Sequence, residues 1–315
     1  MRRYINIIKK EEGKEFIRKN FLVFLFSILF FSISSSSLAQ QGFWEQVSKE
    51  KPYEKVKSHL VEKLPNGLII DWEKKIVIVR GKAKITGPKN FRNKIRIEKE
   101  AEKDAIGKLL KLIGEIRITK NLRLKDIVKS NKEIGFKIKN YIENYFQVID
   151  RRVENGNLVV TIVFSLKGKN GLFSIVQEEL IKFSKKETKE KIVKIPEKIK
   201  ITEKYTGLII DAKDLGVKPG ISPKIYSETG KEVYGTLQLS SDLVVEKGIV
   251  SYANSVEEAK NMERAGNNPL IIKALKKGEG EIGTDVVISE EDALKILKAN
   301  EVSRFLEELK VVIVI

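Results

Sequence analysis

The stretch 21–40, FLVFLFSILFFSISSSSLAQ, divides the chain before anything else about it is known. Its apolar part, 21–33, is broken only by Ser27 and Ser32. A serine-rich, uncharged tail follows and closes on Ser37-Leu38-Ala39. Ahead of it stand Arg2, Arg3, Lys9, Lys10, Lys14, Arg18 and Lys19. A positive head, a short apolar middle and a small-x-small end form the layout of a secretory signal peptide, with cleavage expected between Ala39 and Gln40. An uncleaved anchor and a buried helix are the competing readings, but the run is short for a bilayer span, which needs about 20 residues. The layout predicts export and a periplasmic or outer-membrane-associated location. Folding then falls to residues 40–315.

Loss of the leader takes away seven Lys/Arg and three Glu, which lowers the formal charge from +17 to +13. A positive balance of that size suits anionic partners such as an envelope surface. Export argues against nucleic acid, and no compact Lys/Arg cluster with interleaved aromatics occurs. Abundant Lys and Glu on solvated faces is the plainer reading. There is no cysteine. The mature chain must therefore fold on its core alone, which its length permits, and it lacks the thiol to which a bacterial lipoprotein attaches its acyl chains.

The length after residue 39 suggests about two domains. Residues 42–63 read as one or two short helices, stopped at Pro65-Asn66-Gly67. Apolar, β-branched stretches at 68–72 and 76–85 around Glu73-Lys74-Lys75 predict a hairpin. Ile97, Ala101, Ala105, Leu109 and Leu112/Ile113 share one face of a helix over 94–113. A second helix is expected over 124–146. Strands at 148–153 and 158–166 flank Asn155-Gly156, a pair that tolerates the positive φ of a type I′ turn. A closing helix covers 171–184. This half reads ββααββ, an antiparallel sheet with two helices on one face. The charged stretch 185–204 reads as a linker. Beyond it, 205–315 forms a smaller mixed module. Strands are expected at 207–211, 224–227, 232–235, 248–252, 270–275 and 285–288. Capping patterns at Ser255 and Ser289 open helices. The apolar end, 310–315, is expected to be a central strand, since exposure would invite edge pairing.

Few residues could carry chemistry. His59 is the only histidine, which excludes histidine-based triads and multi-histidine metal sites. Gly278-Glu279-Gly280-Glu281-Ile282-Gly283 spells a dinucleotide fingerprint, but a strand follows it rather than a helix and its glutamates would repel a phosphate. It reads as a hairpin loop. Asp211, Asp214 and Asp285 are the remaining carboxylate candidates for acid–base work or a hard cation, set against ordinary turn capping. Trp44, Trp72, Tyr205, Tyr226, Tyr234 and Tyr252 could stack on a sugar, although strand aromatics are more often core. The loop holding Gly216, Pro219, Gly220 and Pro223 combines two glycines with two prolines and is the first choice for a partner contact.

The strand Val79-Arg80-Gly81-Lys82-Ala83, followed by a helix with Ala101 and Ala105 four apart, resembles a family of bacterial envelope proteins. That family is typified by the Lpp-twenty surface lipoprotein and the N-terminal part of the flagellar assembly protein FlgT. The resemblance covers residues 76–166. The second domain, from YTGLIIDAKDLGVKPGISPKIYSETGKEVYG through DVVISEEDALKI, is similar to a C-terminal module of uncharacterised exported bacterial proteins. These resemblances imply a non-enzymatic envelope role, in FlgT's case within a ring around the flagellar basal body. They carry over no catalytic residues.

The reading is thus an α+β fold in two domains, with a scaffold or binding role among envelope proteins or in self-assembly. No cofactor, metal or small-molecule substrate is expected. An envelope hydrolase using the three aspartates and a glycan-binding adhesin are the alternatives.

Overall fold

The stretch Ile76–Lys84, IVIVRGKAK, forms the long strand on which the first half is built. In the computed structural model, which describes residues 60–65, 67–187, 203–235 and 241–315, this strand, β3, is preceded by β1 (Val61–Lys63) and β2 (Ile69–Asp71). It is followed by α1 (Phe91–Leu112), α2 (Leu124–Ser130), α3 (Lys132–Tyr145), β4 (Gln147–Glu154), β5 (Asn157–Ser165) and α4 (Leu172–Glu187). The strands make one antiparallel sheet in the order β1-β2-β3-β5-β4. β4 and β5 turn through Asn155 and Gly156, both at positive φ (47° and 74°), as the Asn-Gly pair predicts.

The helix stripe expected from the sequence is the buried one. Ile97, Ala101, Ala105 and Leu109 of α1 are fully covered by the sheet. Asn90 caps the helix by accepting from the Asn93 amide at 2.9 Å. At Gly81 the packing is closest: a Cβ there would lie 2.1 Å from the Ala101 carbonyl oxygen and 2.4 Å from the Ala105 nitrogen. The G-x-A strand and the paired alanines are therefore two sides of one backbone-to-backbone contact.

Two expectations need correction. Residues 61–63, read as the end of a helix, form the edge strand β1, because their backbone pairs with Ile69–Asp71 in register. The helix expected over 124–146 is two helices. Asn131 interrupts them with extended backbone (φ −142°, ψ 99°) and serves both, donating its amide to Ile127 O and accepting from the Glu133 amide. A side chain that competes for backbone hydrogen bonds favours such junctions. The leader with Ala39 and Gln40, together with Trp44, His59 and residues 188–202 of the charged stretch, lies outside the described residues.

The second half carries β6 (Gly207–Asp211), β7 (Ile225–Ser227), β8 (Glu232–Tyr234), α5 (Ser241–Lys247), β9 (Ser251–Ala253) and α6 (Val256–Lys260). After these come β10 (Pro269–Lys273), β11 (Lys276–Lys277), β12 (Val286–Ile288), α7 (Glu290–Ser303) and β13 (Val311–Val314). A parallel sheet runs β10-β6-β13-β9, and a mixed one runs β11-β12-β7-β8. Strand β13 is central as expected, pairing with β6 on one side and β9 on the other. All four of its residues are fully buried. A parallel strand covered on both faces reads as an unbroken apolar run rather than an alternating one. On one face Ile209, Val312 and Val314 pack with Ala253, Ala259 and Ala265. Ser255 and Ser289 cap α6 and α7 through the amides of Glu258 and Asp292. Among the described residues no helix is long and apolar enough to cross a membrane. The described residues all belong to one compact unit.

Candidate functional site

Between α1 and α2 the chain spells Ile116-Arg117-Ile118, and all three residues are buried. The two isoleucines join the first half's core. Arg117, facing the other way along extended backbone, meets the second half. Its Nη1 donates to Glu62 Oε1 at 2.6 Å, its Nη2 donates to Glu62 Oε2, and its Nε donates to the carbonyl of Pro219 at 2.7 Å. The guanidinium also lies 5.3 Å from the centroid of the Trp72 ring. Trp72 in turn donates its indole N–H to Glu62 Oε2 at 2.9 Å. Burial alone would raise the Glu62 pKa. The hydrogen bonds from Arg117 and Trp72 and the charges of Arg117 and Lys218 outweigh it, and the carboxyl is held below its ordinary range. A fork of this kind, bidentate and desolvated, fixes orientation as well as charge.

The loop singled out from the sequence is the other side of this seam. The amides of Ile221 and Ser222 donate to Arg117 O and Ile118 O, so the two segments are fastened main chain to main chain. Tyr252, on β9, donates its hydroxyl to Gly220 O and accepts from Gly220 N. Trp72 and Tyr252 meet edge to face, centroids 6.3 Å apart. Gly220 and Pro223 are buried, Pro219 is half-buried and Gly216 is exposed with φ +70°. Gly220 and Pro223 are thus held within the fold, while Gly216 stays at the surface. The fingerprint-like glycines serve the same seam. The Ile282 amide donates to Lys120 O, and a Cβ at Gly280 would lie 2.8 Å from that oxygen. Strands β11 and β12 flank the loop as an antiparallel pair, the hairpin that was expected.

The three aspartates occupy three different settings. Asp211 accepts from the Lys213 amide at 3.2 Å, which is turn capping. Asp214 is an exposed turn residue at φ +64°. Asp285 is buried, its Oδ1 accepting from the Lys224 amide and from Thr284 Oγ1, each at 3.0 Å. Burial pushes its pKa up to about 6, against the lowering pull of those hydrogen bonds and of Lys120 and Lys224. Among the described residues, no group of three or more His, Asp or Glu side chains could hold a metal ion. Tyr234 and Tyr252 are core, and Tyr226 lies under the Lys120 ammonium, 4.7 Å from its ring centroid. Tyr205 is half-buried.

Next to the Trp72–Tyr252 contact the seam opens into a small cleft of about 20 Å³, room for about one water. Lys75 enters it from the β2–β3 turn at φ +56° and reaches across to donate to Lys247 O at 2.5 Å. Gly248 makes room for that ammonium, since a Cβ there would come within 2.7 Å of Lys75 Nζ. Arg117 and Lys75 were not singled out from the sequence. The only signal for Arg117 was a charge set between two isoleucines in a short extended run. Lys75 carried no signal beyond its place in a turn.

Residues 207–315 match the family model described as the second domain of Treponema pallidum Tp0624. The match begins on the first residue of β6 and takes in both sheets of the second half. This second half is thus similar to a domain of another bacterial protein, in keeping with the C-terminal module expected from the sequence. The comparison supports no likeness of residues 76–166 to the Lpp-twenty and FlgT proteins. No curated protein matches the chain.

Proposed function

We propose that this chain is an exported, non-enzymatic component of the bacterial cell envelope, acting as a scaffold or binding part of a larger assembly. The observation that carries the reading is the seam. A module similar to one domain of Tp0624 is fastened to the first half through Arg117, Glu62, Gly220 and Tyr252. Fixed geometry between two modules is what a part that positions others requires. The leader ending at Ala39 supports export, and the resemblance of residues 76–166 to Lpp-twenty and FlgT proteins points to an envelope assembly, with a flagellar one as the finer reading. The turn capping by Asp211, the exposed turn position of Asp214 and the burial of Asp285 set the three apart, which favours holding over hydrolysis.

Fractionation of producing cells with N-terminal sequencing tests this reading. A mature protein beginning at Gln40 in the periplasmic or outer-membrane fraction, crosslinked there to envelope proteins or to itself, is the expected result. An intact Met1 in the cytoplasm would overturn it.

A further inference from the structure

At the pole of the first half opposite the seam, the chain leaves β3 at Lys84 and enters α1 at Phe91. It passes beside the β4–β5 turn, the Ile85 amide donating to Gly156 O at 3.0 Å. Residues 86–92 are exposed without a break, and Phe91 is 70% exposed. The loop behind the ring is built rather than slack. Buried Asn93 donates its side-chain amide to Thr86 O at 2.7 Å and to Pro88 O at 2.9 Å. Asn90 in turn accepts from the Asn93 amide at 2.9 Å. The charge at this pole is one-sided. The stretch 76–97 carries seven Lys/Arg and no Asp/Glu, in a chain with 60 Lys/Arg and 43 Asp/Glu. Lys84, Lys89 and Arg92 of that stretch are exposed at the same end as Phe91. Arg92 sits in the first turn of α1, where a cation opposes the helix dipole and no carboxylate of that turn offsets it. Glu154 of the neighbouring hairpin lies 3.7 Å from Arg152, which shares its charge. An exposed ring among cations is the composition of surfaces that rest on an anionic bilayer, the ring entering the headgroup boundary and the cations meeting phosphate.

We propose that this pole docks on an anionic bilayer surface, with Phe91 and Pro88 entering the headgroup layer and Lys84, Lys89 and Arg92 facing lipid phosphate. An acidic glycan would engage the cations and leave the ring unused, so the bilayer is the partner that the whole patch fits. One ring and three charges give weak, reversible attachment, since even a single myristoyl chain holds a protein only marginally. The proposal rests on the envelope reading only for where such a surface is met. The two fail separately: a purified chain can ignore vesicles although fractionation finds it exported, and it can bind vesicles although fractionation finds it in the cytoplasm.

The test sediments the mature chain, residues 40–315, with vesicles of equal parts phosphatidylethanolamine and phosphatidylglycerol, and with phosphatidylcholine vesicles as the neutral control. Binding to the anionic vesicles that weakens with added salt, and none to the neutral ones, is expected. Phe91→Ser should weaken binding about tenfold, and Lys89→Gln with Arg92→Gln about twentyfold, all at exposed positions that folding does not need. Phe91→Trp should move its emission to the blue on the anionic vesicles and be quenched by brominated lipid. Lys276→Gln with Lys277→Gln removes the same charge from exposed β11 in the second half and should leave binding within about twofold. Equal binding to both kinds of vesicle would overturn the proposal. So would equal losses from the two double variants, or no binding to either vesicle. Undiminished binding by Phe91→Ser would overturn it too, and would point to an acidic polymer surface instead.

Discussion

The hydroxyl of Tyr252 accepts from the amide nitrogen of Gly220 at 2.9 Å and donates to that residue's carbonyl oxygen, also at 2.9 Å. One buried side chain thereby satisfies both main-chain polar groups of a loop residue that has no room for a side chain of its own. A Cβ on Gly220 would stand 2.7 Å from Thr284 Cγ2.

Tyr252→Phe keeps the ring and its edge contact with Trp72 while leaving the Gly220 N–H and C=O unpaired. A loss of about 1–3 kcal/mol in unfolding free energy is expected. Denaturant melts give the size. Amide hydrogen exchange should show faster opening at Gly220 and its neighbours, with β3 and β5 unaffected.

Arg117→Ala should cost about 3–5 kcal/mol, because it strands a half-buried Glu62 carboxylate and the Pro219 carbonyl. Arg117→Lys should recover only part of this, since a single ammonium cannot reproduce the two-pronged contact. Full recovery in the lysine variant, measured by chemical denaturation, would show that charge alone matters there.

Gly81→Ala drives a methyl into the α1 backbone at Ala101 and Ala105. Neither neighbour is the end of a flexible side chain, so the helix must move off the sheet. A destabilisation of about 1–3 kcal/mol or more is expected, seen as a lowered thermal midpoint. Gly67→Ala makes a useful contrast. Its Cβ would meet nothing within 4 Å, so any cost there comes from its φ of +86° alone.

Asp285 gives a pH signature. Its folded pKa, about 6, lies above the ordinary 3.8. Between those values the folded state keeps a proton that the unfolded chain has released. The stability that this proton supplies is present below about pH 4 and is lost as pH rises through 6. Asp285→Asn should flatten the stability profile across that window by about 1–3 kcal/mol. Denaturation at stepped pH values checks it, and a variant profile parallel to the parent's would assign the slope to another group.

Local rules made much of the fold readable. Ala101 and Ala105 announce a close helix-on-sheet contact four residues apart on one face, Asn155-Gly156 announces its turn, and the apolar run ending the chain announces a covered strand. The site was less legible because its contacts depend on how the two halves close. Arg117 finds Glu62 at a sequence separation of 55 residues, and Lys75 finds Lys247 O at a separation of 172. No periodicity in either segment encodes a partner that distant. The break at Asn131 escaped for a different reason. Isoleucines and tyrosines keep helical spacing on both sides of it, and only the competition between a side-chain amide and the backbone separates two helices from one.

The central place of β13 makes it the keystone of its sheet. Among the described strands, its pairing supplies the one ladder partner of β9, and β6 has only β10 besides. Removing β13 would therefore leave β9 without a partner in this sheet and expose the inner edge of β6. The parallel sheet of the second half is thus keyed on one buried strand, and a break in 311–314 parts it into two pieces.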